Sequence, residues 1–152
     1  MHESSMILMA DFRDRYLADM KGCTILDVGS AIVRKQRCYR ELFADYCYVG
    51  MDIVEGRNVD IVGYKKLGRY DVVISGQVME HVKRPWDWLC VLDDLFRKYI
   101  CIIAPNTHKE HRYPVDTYRY FPDGMLDLFE YAEITPVEVR RVGKDTIGIG
   151  TK

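Results

Sequence analysis

The chain has 152 residues, 48% hydrophobic and 30% charged, with 22 basic side chains against 23 acidic ones and a net charge of −1. That length suits one domain with a real core and no separate substrate domain, and so balanced a charge leaves no electrostatic footprint for nucleic acid or a membrane surface. The longest apolar run, Tyr99 to Pro105, is far shorter than a membrane span, and no basic region followed by an apolar stretch opens the chain, so a soluble, cytoplasmic protein is expected.

Residues 5–20 predict a helix capped by Ser4 or Ser5, with Met9, Phe12, Tyr16 and Met20 on one face. Strands are then expected at 24–29, 47–52, 59–62, 70–75 and 99–104, with helices at about 35–45, 86–98 and 123–132. Such alternation is the pattern of a mostly parallel sheet with helices on its faces, an α/β fold. The helix at 86–98 has the clearest signature: Pro85 suits its first turn, and Trp88, Leu89, Leu92, Phe96 and Tyr99 form an apolar stripe beside Asp87, Asp93, Asp94 and Arg97. Residues 134–142 and 145–151 are β-rich and separated only by Gly143-Lys144, which predicts an antiparallel hairpin closing a seven-stranded sheet. The whole is one domain, an N-terminal helix (1–22) followed by a Rossmann-like core (24–152).

Two connections are short. Residues 53–58 and 63–69 are too few for crossover helices of about ten or more residues, so helices are reduced between the second and third and between the third and fourth strands. One sheet face is then incompletely covered, and a homodimer built partly on residues 53–69 is expected.

The chemistry concentrates at the carboxyl ends of the strands, where an open α/β sheet places its ligand. The first strand ends in Asp27-Val28-Gly29-Ser30, and the second ends in Asp52, a carboxylate placed to accept both hydroxyls of a ribose. The fourth strand runs through Tyr70-Asp71-Val72-Val73-Ile74-Ser75 into Gly76-Gln77-Val78-Met79-Glu80-His81-Val82. With Asp27-x-Gly29 and Asp52, this segment resembles the class I S-adenosylmethionine-dependent methyltransferases, over residues 24–152. The terminal hairpin is that family's hallmark. The stretch from His111 to Gly124 is similar to a subgroup associated with glycan or surface-polymer biosynthesis.

The resemblance implies S-adenosyl-L-methionine as cofactor. It sets Asp27, Gly29 and Ser30 against the methionine part, Asp52 and Ile53 at the ribose and adenine, with adenine held by stacking of Tyr64 or by the backbone from Asp60 to Gly63, and Gly76 and Gln77 on the sulfonium side. It implies methyl transfer to a small molecule or glycan, with oxygen as the acceptor atom. The cofactor carries its own leaving group, so alignment does most of the work. A hydroxyl acceptor gains from a base: His81 is the first candidate, with His111 and Asp116 in the long loop behind it. That loop, Asn106 to Pro122, reads as a substrate lid carrying Arg112, Tyr113, Tyr118, Arg119, Tyr120 and Phe121, or as a self-packed cover for the sheet.

The sequence departs from the family after Gly29. Further glycines are usual there, and this chain has Ala31-Ile32-Val33-Arg34-Lys35-Gln36-Arg37. The basic turn motivates a second reading, a non-catalytic methyltransferase-like binding or scaffold protein with weak or lost cofactor binding. A nicotinamide dehydrogenase is disfavoured, since no G-x-G-x-x-G follows the first strand. Cys23, Cys38, Cys47, Cys90 and Cys101 show no C-x-x-C pair and are expected as reduced thiols without a bridge. No metal is expected, because neighbouring helical positions such as Glu80 and His81 point about 100° apart.

Overall fold

A computed structural model of the protein describes residues 3–32, 37–64 and 68–152. In chain order it contains α1 (Glu3–Tyr16), β1 (Thr24–Val28), a 3-10 turn (Tyr39–Leu42), β2 (Cys47–Asp52), β3 (Ile61–Val62) and β4 (Tyr70–Gly76). A second 3-10 turn (Met79–His81), α2 (Pro85–Asp93), β5 (Phe96–Pro105), α3 (Pro122–Tyr131), β6 (Thr135–Val142) and β7 (Asp145–Thr151) complete it. The seven strands form one sheet in the order β3-β2-β1-β4-β5-β7-β6. Strands β1 to β5 pair in parallel, and the terminal hairpin adds β7 and β6 antiparallel to β5.

Strand alternation divides the core into two layers. Ile25, Val72, Ile74, Cys101, Ile103, Ile147 and Ile149 face α1, where they bury Met6, Met9, Phe12, Tyr39 and Phe43. The residues between them, Leu26, Val28, Val73, Ile100, Ile102 and Ala104, pack on the opposite face against Trp88, Leu89 and Leu92 of α2 and Met125 and Phe129 of α3. A period of two along a strand buried on both faces dictates this split. At the amino end of the sheet Asp71 ties β1 to β4, accepting hydrogen bonds from the Thr24 backbone N–H and hydroxyl, both at 2.8 Å.

Several boundaries depart from expectation. Helix α1 ends at Tyr16, and the chain then turns through Gly22, which is left-handed at φ +80°; Met20 belongs to that turn. Ser4 and Ser5 lie inside α1, where they serve as tethers: Ser4 Oγ donates to Asp145 Oδ2 at 2.6 Å, and Ser5 Oγ meets the Tyr39 hydroxyl at 2.5 Å. The helix expected at 35–45 is reduced, among the described residues, to the turn Tyr39–Leu42, whose leading backbone N–H at Cys38 is capped by the Glu41 carboxylate at 3.3 Å.

Helix α2 stops at Asp93, and Phe96 to Tyr99 belong to β5. Leu92, Phe96 and Tyr99 have helical spacing, but Phe96 is fully buried opposite Tyr70 and β5 must start there to pair along the whole of β4. The third strand shortens to Ile61–Val62, pairing with Met51 and Asp52 at the end of β2. Its two flanking connections contain no helix among the described residues.

Gly50 permits this economy. A Cβ at Gly50 would stand 2.0 Å from the Asn58 carbonyl oxygen and 2.7 Å from Ser30 Oγ, so the returning 53–60 connection lies directly on β2. Gly50→Ala is expected to destabilise the protein by about 2–3 kcal/mol or more, because the nearest atom it meets, the Asn58 carbonyl oxygen, is backbone and cannot rotate away. Gly124→Ala, in the first turn of α3 with nothing within 4 Å, is expected to stabilise by about 0.5–1 kcal/mol. Urea denaturation of the two variants checks the pair.

Candidate cofactor and active site

The order β3-β2-β1-β4-β5 reverses direction between β1 and β4, which opens a crevice at the carboxyl ends of those strands. Gly29 and Ser30 turn over this edge, their N–H groups both donating to the Met51 carbonyl at 2.8 and 3.0 Å. Gly29 is left-handed at φ +84°, and a Cβ there would lie 2.2 Å from a methyl of Val78. Its glycine is therefore required by conformation and by packing against the segment after β4. Asp52 sits beside this turn. Its Oδ2 accepts from the Ala31 N–H at 3.0 Å and its Oδ1 from the Ile53 N–H at 2.7 Å. Oδ1 also accepts from the Val54 N–H at 3.4 Å, so of the carboxylate's roughly four acceptor positions the open one lies on Oδ2. Ile53 is 70% exposed.

Asp27 points to the α1 face and is almost wholly buried, hydrogen-bonded by the Tyr48 hydroxyl. The amide of Asn58 donates to the Tyr48 hydroxyl at 3.2 Å and to the Ser30 carbonyl at 3.0 Å, and Ser30 Oγ donates back to the Asn58 carbonyl at 2.9 Å. Arg40 lies over the Tyr48 ring at 4.4 Å and donates to Asn58 Oδ1 at 2.6 Å. One polar network thus joins β1, β2 and the helix-less connection. Tyr48, Asn58 and Arg40 escape sequence reasoning. Only strand parity signals Tyr48, which shares a face of β2 with Gly50 and Asp52, while Asn58 carries no local signal.

Gly76 and Gln77 end β4. A Cβ on Gly76 would stand 1.8 Å from the Tyr39 hydroxyl, so Tyr39 fills the space beneath the crevice. Gln77 is left-handed at φ +59° and donates from Nε2 to Asp145 Oδ1 at 2.9 Å, while its buried Oε1 has no hydrogen-bond partner among the described residues. Tyr64 follows β3 and accepts from the Trp88 indole at 2.7 Å, which anchors it on the α2 face. Of the basic turn, Arg34 and Lys35 lie outside the described residues; Arg37 is exposed and pairs with Glu41 at 3.0 Å.

The 3-10 turn after β4 presents a second cluster. Glu80 is fully buried, and neither carboxylate oxygen has a hydrogen-bond partner among the described residues. Burial pushes its carboxyl up to about 8. His81 Nε2 and His111 Nε2 each lie 3.6 Å from Glu80 Oε1, and the two imidazoles meet edge to face at 5.0 Å. His81 Nδ1 contacts the Val115 carbonyl at 2.6 Å, and burial lowers this imidazole below its usual range. The expectation that Glu80 and His81 diverge does not hold. They occupy a three-residue 3-10 turn, and the long loop folds back to bring His111 onto the same oxygen.

Asp116 has a different office from the one expected of a base. Arg119 grips it with both terminal nitrogens, at 2.5 and 2.7 Å, and the His111 N–H donates to it at 2.5 Å. The Arg119 hydrogen bonds hold its carboxyl well below the usual carboxylate range. Arg119 also donates to the carbonyls of His108, Lys109 and Tyr118, so the Asp116–Arg119 pair staples the loop to itself. The Thr117 N–H to the Glu80 carbonyl, at 2.7 Å, fastens it to the strand end.

No protein-family model matches the sequence, and no curated protein matches it. Solved structures do. A 1,6-didemethyltoxoflavin-N1-methyltransferase from Burkholderia thailandensis, with 1,6-didemethyltoxoflavin and S-adenosylhomocysteine bound, superposes at a TM-score of 0.76 and 16% identity over 99% of this chain and 79% of its own. This is the class I methyltransferase fold. Magnesium protoporphyrin IX methyltransferase from Synechocystis PCC 6803, with S-adenosylmethionine bound, gives 0.71 and 14% over 99% and 79%. The N-terminal domain of EvdMO1, in the presence of S-adenosylhomocysteine and D-fucose, gives 0.67 and 16% over 99% and 83%. The methyltransferase fold explains the antiparallel β7 and β6 and the crevice between β1 and β4. No helix among the described residues is long and apolar enough to cross a membrane.

Asp27 supplies a test of the network. Burial pushes its carboxyl up to about 7, above the ordinary 3.8, so the fold favours the protonated form. That contribution to stability is complete below about pH 4 and is lost as pH rises through 7. Urea unfolding should therefore show wild-type stability falling between pH 5 and pH 8, and Asp27→Asn should remove about 2 kcal/mol of that fall. A difference between variant and wild type that is constant across this range would refute burial of the carboxyl as its cause.

Proposed function

We propose that the chain is an S-adenosylmethionine-dependent methyltransferase acting on a small molecule or glycan, with a hydroxyl as methyl acceptor. The observation that carries this reading is the convergence, at the switch point of a methyltransferase-fold sheet, of Asp52, the Gly29–Ser30 turn and the unsatisfied Gln77 Oε1. The residues present fit the cofactor. Asp52 keeps acceptor capacity on Oδ2 for a ribose hydroxyl, with Ile53 exposed beside it and Tyr64 on the adenine side. Asp27, Gly29 and Ser30 shape the methionine side, and Gln77 Oε1, beyond Gly76, is a buried acceptor suited to an ammonium group.

Bound S-adenosylmethionine supplies a methyl group that already carries its leaving group. The protein's share is to exclude water and align the acceptor oxygen. His81, its Nδ1 turned to the Val115 carbonyl, keeps Nε2 for the hydroxyl proton; His111 stands beside it, and Asp116 holds the His111 backbone in place. The analogy for a small-molecule acceptor is the 1,6-didemethyltoxoflavin bound to the Burkholderia N1-methyltransferase, and for a saccharide the D-fucose present with the EvdMO1 domain. Ile53, Val54 and Val62, exposed at 70%, 57% and 49% along the pared edge, support self-association there, to be read as a dimer in sedimentation at micromolar concentration.

A non-catalytic protein is the second reading, favoured by the three backbone N–H groups that already occupy Asp52. Calorimetry separates the two. The enzyme reading expects micromolar binding of S-adenosylmethionine and S-adenosylhomocysteine, weakened at least about tenfold in Asp52→Ala through loss of charge-assisted hydrogen bonds. Folded protein that gives no heat at millimolar ligand would overturn it.

A further inference from the structure

We propose that Glu80, His81 and His111 form a binding site for a divalent transition-metal cation of the zinc, cobalt or iron class. Three observations independent of any cofactor lead there. The first is the state of Glu80: a fully buried side chain with, among the described residues, no hydrogen-bond donor to either oxygen and histidines as its only ion-pair partners. A buried carboxylate left so is costly unless something positive meets it.

The second is orientation. His81 directs Nδ1 at the Val115 carbonyl at 2.6 Å, and His111 Nδ1 lies 3.2 Å from the Lys109 carbonyl. Carbonyl contacts of this kind place the ring proton on Nδ1 and leave the Nε2 lone pair facing away, the arrangement typical of metal-ligating histidine. Both Nε2 atoms then face Glu80 Oε1. The third is distance. At 3.6 Å these atoms are too far apart to hydrogen-bond to one another. Metal–ligand bonds of about 2.0–2.2 Å set neighbouring donors of a tetrahedron about 3.4 Å apart, and all three donor atoms here lie within 4.8 Å of one another. A cation between them satisfies the buried Oε1 of Glu80, and a set of two imidazoles and one carboxylate favours a transition metal over magnesium or calcium.

Two of the three ligands share one turn after β4, while the third comes from a loop that Arg119 and Asp116 hold against that turn. The consequence for catalysis rests on the methyltransferase reading: a bound cation would occupy the Nε2 atoms that otherwise take the proton and would lower the pKa of an acceptor hydroxyl coordinated to it, whose proton then passes to solvent water as the oxygen takes the methyl group. The metal site itself does not depend on that reading.

The test uses the full chain stripped with chelator and titrated with Co2+, followed by visible absorption and metal analysis. The wild type should bind one equivalent, with the absorption bands of nitrogen and oxygen coordination, and its thermal midpoint should rise with Co2+. Glu80→Gln, close in shape to the side chain it replaces, and His111→Ala, on the loop, should each weaken binding at least about tenfold. Cys47→Ser with Cys90→Ser, removing the two exposed thiols, should leave it unchanged. Absence of binding in the wild type, or binding that survives both ligand substitutions, overturns the proposal. Calorimetry with S-adenosylmethionine on the same metal-free protein reports the cofactor reading separately, so the failure of one is not mistaken for failure of the other.

Discussion

The contact on which the rest of the structure depends is the seating of the 53–60 connection on β2 at Gly50. With no crossover helix there, the backbone of this connection must find its hydrogen bonds elsewhere, since a buried unpaired peptide group costs as much as a lost hydrogen bond. It finds them on the strand ends. The Asp60 N–H donates to the Gly50 carbonyl at 2.8 Å, the Gly50 N–H to Asp60 Oδ2 at 2.7 Å, and the Ile32 N–H to the Arg57 carbonyl at 3.1 Å. Asn58, left-handed at φ +70°, an arrangement its short amide tolerates, closes the clamp on Ser30. The bonds that replace a helix are the same ones that fix the turn over β1.

The candidate site and the fold are therefore coupled at one edge. Asp52 is held by the Ala31 N–H from the turn, Asp27 by the Tyr48 hydroxyl, and Tyr48 in turn by Asn58. A change anywhere in this chain of contacts moves both carboxylates relative to the Gly29 turn. On the far side of the crevice a separate assembly does the equivalent work: Asp145, the first residue of β7, gathers Ser4 of α1, Gln77 after β4 and His108 of the long loop. The antiparallel hairpin thus brings a buried acid to the carboxyl edge, where a parallel strand entering from the other end would not.

Most of the sheet was legible because its signals are local. Gly143-Lys144 between two β-rich runs is a hairpin by turn chemistry alone, and the unbroken apolar run of Ile100 to Ala104 suits a strand buried on both faces. Where two periods overlapped, the reading failed: Leu92, Phe96 and Tyr99 fit a helix, yet Phe96 is taken by pairing with Tyr70 across the sheet. The Asp27-x-Gly29 turn was legible as a motif, but the reason for its glycine was not. It lies in Val78, 49 residues away in the sequence.

By itself the sequence determined the α/β alternation, the seven strands, the closing hairpin and the acids at the ends of β1 and β2, since periodicity and turn residues act over a few positions. Only the tertiary structure decided which side chains share a site. Tyr48 reaches Asp27 because the parallel register sets Gly50 opposite it, and His111 reaches Glu80 because Arg119 folds the loop through Asp116. Proximity between residues tens of positions apart depends on strand order and loop path, and neither is written in the spacing of the residues concerned.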